Sequence, residues 1–274
     1  MQCILFGVFF LVPLVLSIAF SFTNYDGWKT IDFVGLTNYI TLFKDSKFYL
    51  SLGRTLLYTV CTLPFRVIIP LLVAVLLCSK RVAGKSLTRT MVYIPVLMSS
   101  LVVGITINWM FSQEYGLVNF IIRSMGGTAL EWSLNPRLAT FVIAFASVWA
   151  SIGFNMILYI GGINSISNDL YEAATIDGAS GVQAFFRITV PMLAPTTFMV
   201  VLLSTVNLLK EYALVQGITQ GGPGLSTTFI IQYIFDKGFN QMQYGYASAI
   251  STVVMIIFAL IAFAQFKVNN GGET

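Results

Sequence analysis

Residues 171–191 read YEAATIDGASGVQAFFRITVP, from Tyr171 to Pro191, between long apolar runs on either side. Asp169, Glu172 and Asp177 gather at the start of the stretch, and Arg187 lies near its end. Acids are favoured in the first turn of a helix, where the dipole is positive, so Asp169–Ile176 is expected to be a short helix. Gly178 then permits a turn at no steric cost. A second amphipathic helix is expected after it. Pro191 and Pro195 fall at the start of the next apolar run, where proline is tolerated. The stretch therefore reads as a helix–turn–helix, exposed to water and set between two membrane spans.

The rest of the chain supports that setting. Hydrophobic residues make up 57% and charged residues 9% of 274, and mean hydropathy is +0.83. Soluble domains carry about 25% charge, so composition points to an all-α polytopic membrane protein. The net charge of +4 belongs to loops and gives no sign of a nucleic-acid partner. Cys3, Cys61 and Cys78 sit inside apolar runs, which is neither a disulfide framework nor a metal spacing. The absence of histidine removes imidazole proton relays and metal sites.

Six spans are expected: Cys3–Phe22, Leu56–Cys78 (interrupted by Pro64 and Pro70), Thr90–Phe111, Leu138–Ile160, Met192–Val215 and Tyr246–Phe266. Each is near the ~20 residues that cross a bilayer. The first has no basic leader, so it reads as a transmembrane helix whose cytoplasmic stub is very short or missing. Loops of about 23–55, 112–137 and 217–245 fall on one side, with Lys29, and Trp28, Trp109 and Trp132 map to that side as an interfacial belt would. The 79–89 loop, with Lys80, Arg81, Lys85 and Arg89 and no acid, falls on the other, with the 168–191 loop and both termini. The basic loop points to the cytoplasm for that face. Lys29, Lys44, Lys47, Arg54, Arg123, Arg137 and Lys237 fall on the other, however, and the whole-chain count does not settle orientation; the assignment leans also on the resemblance given next. The whole chain reads as one transmembrane domain, 1–274.

The 171–191 stretch resembles the EAA loop of ABC-importer permeases: Glu172-Ala173-Ala174, then Gly178, then Ile188-Thr189-Val190-Pro191, with Val190 where leucine is usual. FVGLTNYITLF at 33–43, GLVNFII at 116–122, VWASIGFNMILYI at 148–160 and TQGGPGLSTT at 219–228 are similar to the carbohydrate branch, of the maltooligosaccharide, lactose and glycerol-3-phosphate type. The resemblance implies a type I importer fold in a prokaryotic cell membrane. It also implies a second homologous permease, two ATPase subunits that bind ATP and magnesium, an extracytoplasmic solute-binding protein and a sugar substrate. This chain would hold no cofactor and catalyse no reaction. Tyr171, Glu172, Ala173, Ala174, Asp177, Gly178, Ile188 and Pro191 would seat the ATPase. Gly221, Gly222 and Pro223 would lie where the binding protein docks; alone, they say only that the chain turns.

AGKS at 83–86 is not a nucleotide loop, because Ser79 stands where that motif needs glycine. Ser147, Ser151 and Asn155 share one face of the fourth span, near Trp149; Ser204, Asn207, Lys210 and Glu211, next to Tyr212, share one face of the fifth. By resemblance these line the sugar path, but such groups also bond helix to helix. Arg66, between two prolines, either meets an acidic sugar or pairs with Glu211. A gradient-driven secondary transporter is the alternative from another class. It would be expected to show several intramembrane carboxylates or an internal repeat, whereas Glu211 stands alone. An ABC permease for a non-sugar or anionic solute is another alternative.

Overall fold

The computed structural model describes residues 1–28, 31–79 and 84–270. Lys29, Lys80, Arg81 and Ala83 lie outside the described residues. Helix α1 is Gln2–Phe20, with a π turn at Gly7–Leu11. Next come α2 (Thr37–Lys44) and α3 (Ser46–Cys78). Helices α4 (Lys85–Leu97) and α5 (Ser100–Met110) meet at a bend of 102°. Then follow α6 (Leu117–Ser124), α7 (Pro136–Asn164) and α8 (Asn168–Ile176). Helices α9 (Gly181–Met192) and α10 (Ala194–Leu209) meet at 67°. The last three are α11 (Ala213–Ile218), α12 (Ile230–Phe235) and α13 (Tyr244–Asn270). Among the described residues, the β structure is one isolated antiparallel bridge between Thr23 and Phe33.

Four helices, α1, α3, α7 and α13, are long and apolar enough to cross a bilayer, and each bent pair adds a span to make up to six. Three expectations need correction. Thr90–Phe111 is not one straight span: Met98 and Ser99 are extended, with ψ 144° and 135°, and divert the chain between α4 and α5. Met192–Val215 is broken at Leu193 and again at Lys210–Tyr212, where two adjacent charges leave the helix. Pro64 and Pro70, by contrast, do not interrupt α3, which runs through both.

The chain forms two compact units, residues 1–56 with 228–274, and residues 57–227. In the first, Leu42, Phe48, Ile230, Tyr233, Tyr246, Ile250 and Val254 make an apolar cluster. Thr55 Oγ1 accepts the otherwise orphaned amide of Ile230 at the start of α12, at 2.9 Å. Asp45, between α2 and α3, accepts from the hydroxyls of Tyr233 and Tyr246. Lys237 lies 5.6 and 5.7 Å from the centres of the same two rings.

In the second unit, Ala74, Leu77, Met156, Tyr159, Ile160, Ile166, Leu193 and Val200 form the core. Helices α5 and α11 cross backbone to backbone: a Cβ on Gly217 would lie 2.8 Å from Leu101 O and 2.9 Å from Gly104 Cα. Asn119 is fully buried and ties the 112–137 loop together. It donates to the carbonyls of Gln113 and Leu130, and accepts from the Leu130 amide and the Trp132 indole. Trp132 is therefore a buried residue, packed edge-on against Phe111, and not part of an interfacial belt. Trp28 and Trp109 are exposed, as a belt requires.

Burial alone would raise the Asp45 carboxyl. The hydroxyls of Tyr233 and Tyr246 and the amides of Lys47 and Phe48 outweigh it and hold the carboxyl below its usual range. A depressed folded pKa contributes stability that is present above the unfolded value of ~3.9 and lost as pH falls through the folded value. Asp45→Ala should lower stability by about 1–2 kcal/mol at neutral pH. Thermal unfolding in detergent should show wild type and variant converging as pH drops below ~4.

Candidate functional site

Two features stand out in the second unit, the 168–191 hairpin and a cavity. The hairpin is built by local rules. Ser167 caps α8 by accepting from the amide of Asp169. Helix α8 ends in a Schellman motif: the Gly178 amide bonds Thr175 O and the Ala179 amide bonds Ala174 O. Gly178 has φ +77°, and nothing lies within 4 Å of where a Cβ would sit. Glycine is needed there for its backbone conformation, not for lack of space. Ser180 and Gln183 then form a capping box at the start of α9.

The residues expected to seat an ATPase divide into two groups. Glu172, Ala173, Asp177, Gly178 and Pro191 are exposed, and Ala174 is half-buried. Tyr171 and Ile188 instead pack onto the core, and Tyr171 Oη lies 2.9 Å from Thr189 Oγ1, joining the two arms of the hairpin. They fix the hairpin to the core and do not face outward. Beside the acids the hairpin exposes Ile176, Val182 and Phe186. Apolar side chains at those positions in a polar loop were a signal the sequence reading left unused.

The cavity encloses about 530 Å³. Its walls bring together eight of the ten expected path residues: Arg66, Ser151, Asn155, Ser204, Asn207, Lys210, Glu211 and Tyr212. Val96, Ser100, Ala150, Phe154, Ala213 and Leu214 complete it. The break between α10 and α11 forms part of its wall, a placement the expected straight span could not give. Trp149 does not line it. Ser147 sits behind it, fully buried, accepting from Arg66 Nη2 at 2.6 Å. Arg66 thus hydrogen-bonds Ser147, while its charge also acts on the buried carboxylate of Glu211, whose Oε1 accepts from the Leu214 amide at 3.3 Å.

Asn155 explains how α3 accommodates Pro70. In a regular helix the amide of residue 70 would bond the carbonyl of Arg66, but Pro70 has none. Asn155 Nδ2 donates to that carbonyl at 2.9 Å and to Ser204 Oγ at 3.2 Å. One amide therefore joins α3, α7 and α10.

The Gly221–Gly224 turn is held by threonines: Thr227 Oγ1 donates to Gly222 O at 2.6 Å and lies 2.7 Å from Thr219 Oγ1. Gly221 is buried; Gly222 and Pro223 are half-buried.

Residues 34–270 match the family described as the binding-protein-dependent transport system inner membrane component. The chain belongs to this family. It is a multi-pass membrane permease of an ABC importer that works with a binding protein, and a transport component, not an enzyme. Among its relatives, the probable ABC transporter permease protein YurN of Bacillus subtilis (strain 168) is 32% identical, over 98% of this chain and 94% of that one. The arabinooligosaccharides transport system permease protein AraP of the same organism is 32% identical, over 96% of this chain and 84% of that one. In structure the chain is similar to a chain of a bacterial ABC transporter involved in the import of the acidic polysaccharide alginate. The TM-score is 0.85 at 23% identity, covering 98% of this chain and 92% of that one. That likeness gives the type I importer fold. None of these comparisons supports the gradient-driven alternative.

Asn155→Ala should cost about 1–3 kcal/mol by orphaning the Arg66 carbonyl. Pro70→Ala in that background should recover part of the loss, because it restores the backbone donor. A double-mutant cycle on unfolding of the solubilised protein measures this coupling.

Proposed function

We propose that this permease imports a sugar or oligosaccharide and that residues 1–274 act as one transmembrane domain in doing so. The observation that carries the reading is the cavity beside a broken helix, where hydroxyl, amide and charged side chains converge on one apolar-backed space. Sugars are held by such groups, with an aromatic face such as Tyr212 or Phe154 against their C–H surface. The names of relatives, among them AraP and the lactose transport system permease protein LacF of Rhizobium radiobacter, support the same class.

In this proposal both termini and the 168–191 hairpin face the cytoplasm. The chain pairs with a second homologous permease and two ATPase subunits, which bind ATP and magnesium. Glu172, Ala173, Ala174, Asp177, Gly178 and Pro191 form the seat for one ATPase, and Tyr171 and Ile188 transmit its movement to the core. Closure of the ATPases would then turn the spans as rigid bodies. Gly221, Gly222 and Pro223 face the binding protein on the other side. Ser151, Asn155, Ser204, Asn207, Lys210, Glu211, Tyr212 and Arg66 line the path. Ser147 supports Arg66, and Trp149 plays a packing role.

Gentle extraction of the tagged chain should recover a second permease, an ATPase and a binding protein. A chain that purifies alone and transports under an ion gradient without ATP would refute the proposal. Glu172→Ala and Gly178→Asp should leave membrane insertion intact and weaken ATPase recovery roughly tenfold, the equivalent of ~1.4 kcal/mol. Normal recovery and uptake in both variants would remove the hairpin from the coupling role. Asn207→Ala should reduce uptake with the complex still assembled.

A further inference from the structure

Two short helices away from the hairpin and the cavity are built alike. Helix α2, with its N-cap Leu36, presents Leu36, Ile40 and Phe43 along one side, all exposed, Phe43 at 61%. On the other side Leu42 is buried, and Asn38 Nδ2 donates to the carbonyls of Ser21 and Thr23 at 2.9 and 2.8 Å. Helix α6 presents Leu117, Phe120 and Ile121, also exposed, Phe120 at 67%. Its other side carries the buried Asn119, whose amide bonds the carbonyls of Gln113 and Leu130. Ser124 shares the exposed side, but its hydroxyl donates to Ile121 O and needs no partner from outside.

Each helix is tied to the end of a membrane-spanning element. The carbonyls that Asn38 holds belong to Ser21 and Thr23, just past α1. Residues 111–116 lead from α5 to α6 through hydrogen-bonded turns, Ser112 N to Trp109 O and Gly116 N to Ser112 O. Arg123 closes the same segment by donating to the carbonyls of Gln113 and Glu114. Both helices are therefore held at the level where spans leave the bilayer. Trp28 precedes α2, and Trp109 and Tyr115 precede α6; all three are exposed. Exposed Trp and Tyr at span ends are the side chains of the membrane–water interface.

We propose that α2 and α6 are surface anchors, each lying along the bilayer with its apolar side among the lipid headgroups and upper acyl chains. A helix of two turns is ~12 Å long, too short a surface for the ~800 Å² per partner of a specific protein complex. A lipid surface asks less: an uncharged apolar strip that sinks about 5–10 Å. The strips are uncharged, because Arg123 is turned to loop carbonyls and Lys44 stands at the exposed end of α2. There a cation suits headgroup phosphates. In this role the two helices hold the ends of α1 and α5 at a constant depth in the bilayer. The proposal depends neither on the solute nor on the ATPase seat.

The test is spin-label accessibility on the full chain, extracted with its bound subunits and placed in nanodiscs of phosphatidylcholine and phosphatidylglycerol. Cys3→Ala, Cys61→Ala and Cys78→Ala remove the native thiols, and a nitroxide is attached after Ile40→Cys, Phe120→Cys or, as the loop control, Glu114→Cys. The ratio of collisions with membrane-soluble oxygen to those with a water-soluble nickel chelate should be about tenfold higher at 40 and 120 than at 114. Nickel access equal to that of the control overturns the anchor for that helix, since its strip then faces water. Exclusion of both probes also overturns it, since a protein, either another permease or a binding protein, then covers the strip. If the labelled chains fail to insert, a phosphatidylcholine with a photoactivatable diazirine high in its acyl chain decides on the unsubstituted complex. Crosslinks should map to residues 36–43 and 117–125, and crosslinks confined to the spans overturn the proposal.

Discussion

Pro70 has no N–H to offer the carbonyl of Arg66, and the side chain of Asn155 supplies the missing donor. The rest of the second unit is arranged about that substitution. A freed carbonyl inside a membrane protein is costly unless a donor replaces the missing one, and here the donor comes from another helix. By donating to Ser204 as well, Asn155 fixes the relation of α3, α7 and α10. The same geometry stations Arg66 beside Ser147 and at the edge of the cavity. Residues that looked like substrate ligands in the sequence are thus partly the scaffold that aims other residues.

The hairpin at 168–191 was legible because local chemistry specifies it. Caps, acids in the first turn, a glycine at positive φ and a proline-marked restart are all short-range signals. The apolar runs of α1, α3, α7 and α13 were equally plain. The two helix breaks were not. Nothing local distinguishes Met98–Ser99 from the residues around it, and the charges at Lys210–Glu211 were read as a polar face of an intact helix. Pro64 and Pro70 misled in the opposite direction: α3 runs through both, and the carbonyl that Pro70 leaves free, that of Arg66, is bonded by Asn155, 89 positions from it in sequence. Periodicity grouped Ser151, Asn155, Ser204 and Asn207, which line one cavity. It could not tell that Ser147 lies behind Arg66 or that Trp149 faces elsewhere, since both depend on how neighbouring helices rotate.

Hairpin and cavity lie in the same compact unit and share structural members. Tyr171 and Ile188 pack on the cluster that contains Met156, Tyr159 and Val200, and those residues belong to the helices that carry Asn155 and Ser204. In the proposed coupling, a push on the hairpin would reach the cavity through these packed side chains.

The crossing of Gly104 with Gly217 has its own consequence. With no side chain between the two backbones at this point, α5 and α11 pack in direct contact, and any side chain at Gly104 or Gly217 would force them apart. Freedom to bend is left to the ends of this clamped pair, at Met98–Ser99 and at Lys210–Tyr212. The cavity takes Ser100 from beside the first joint and Lys210, Glu211 and Tyr212 from the second. Both breaks thus form part of the cavity wall, and the shape of the cavity follows from the angles at which the helices meet there.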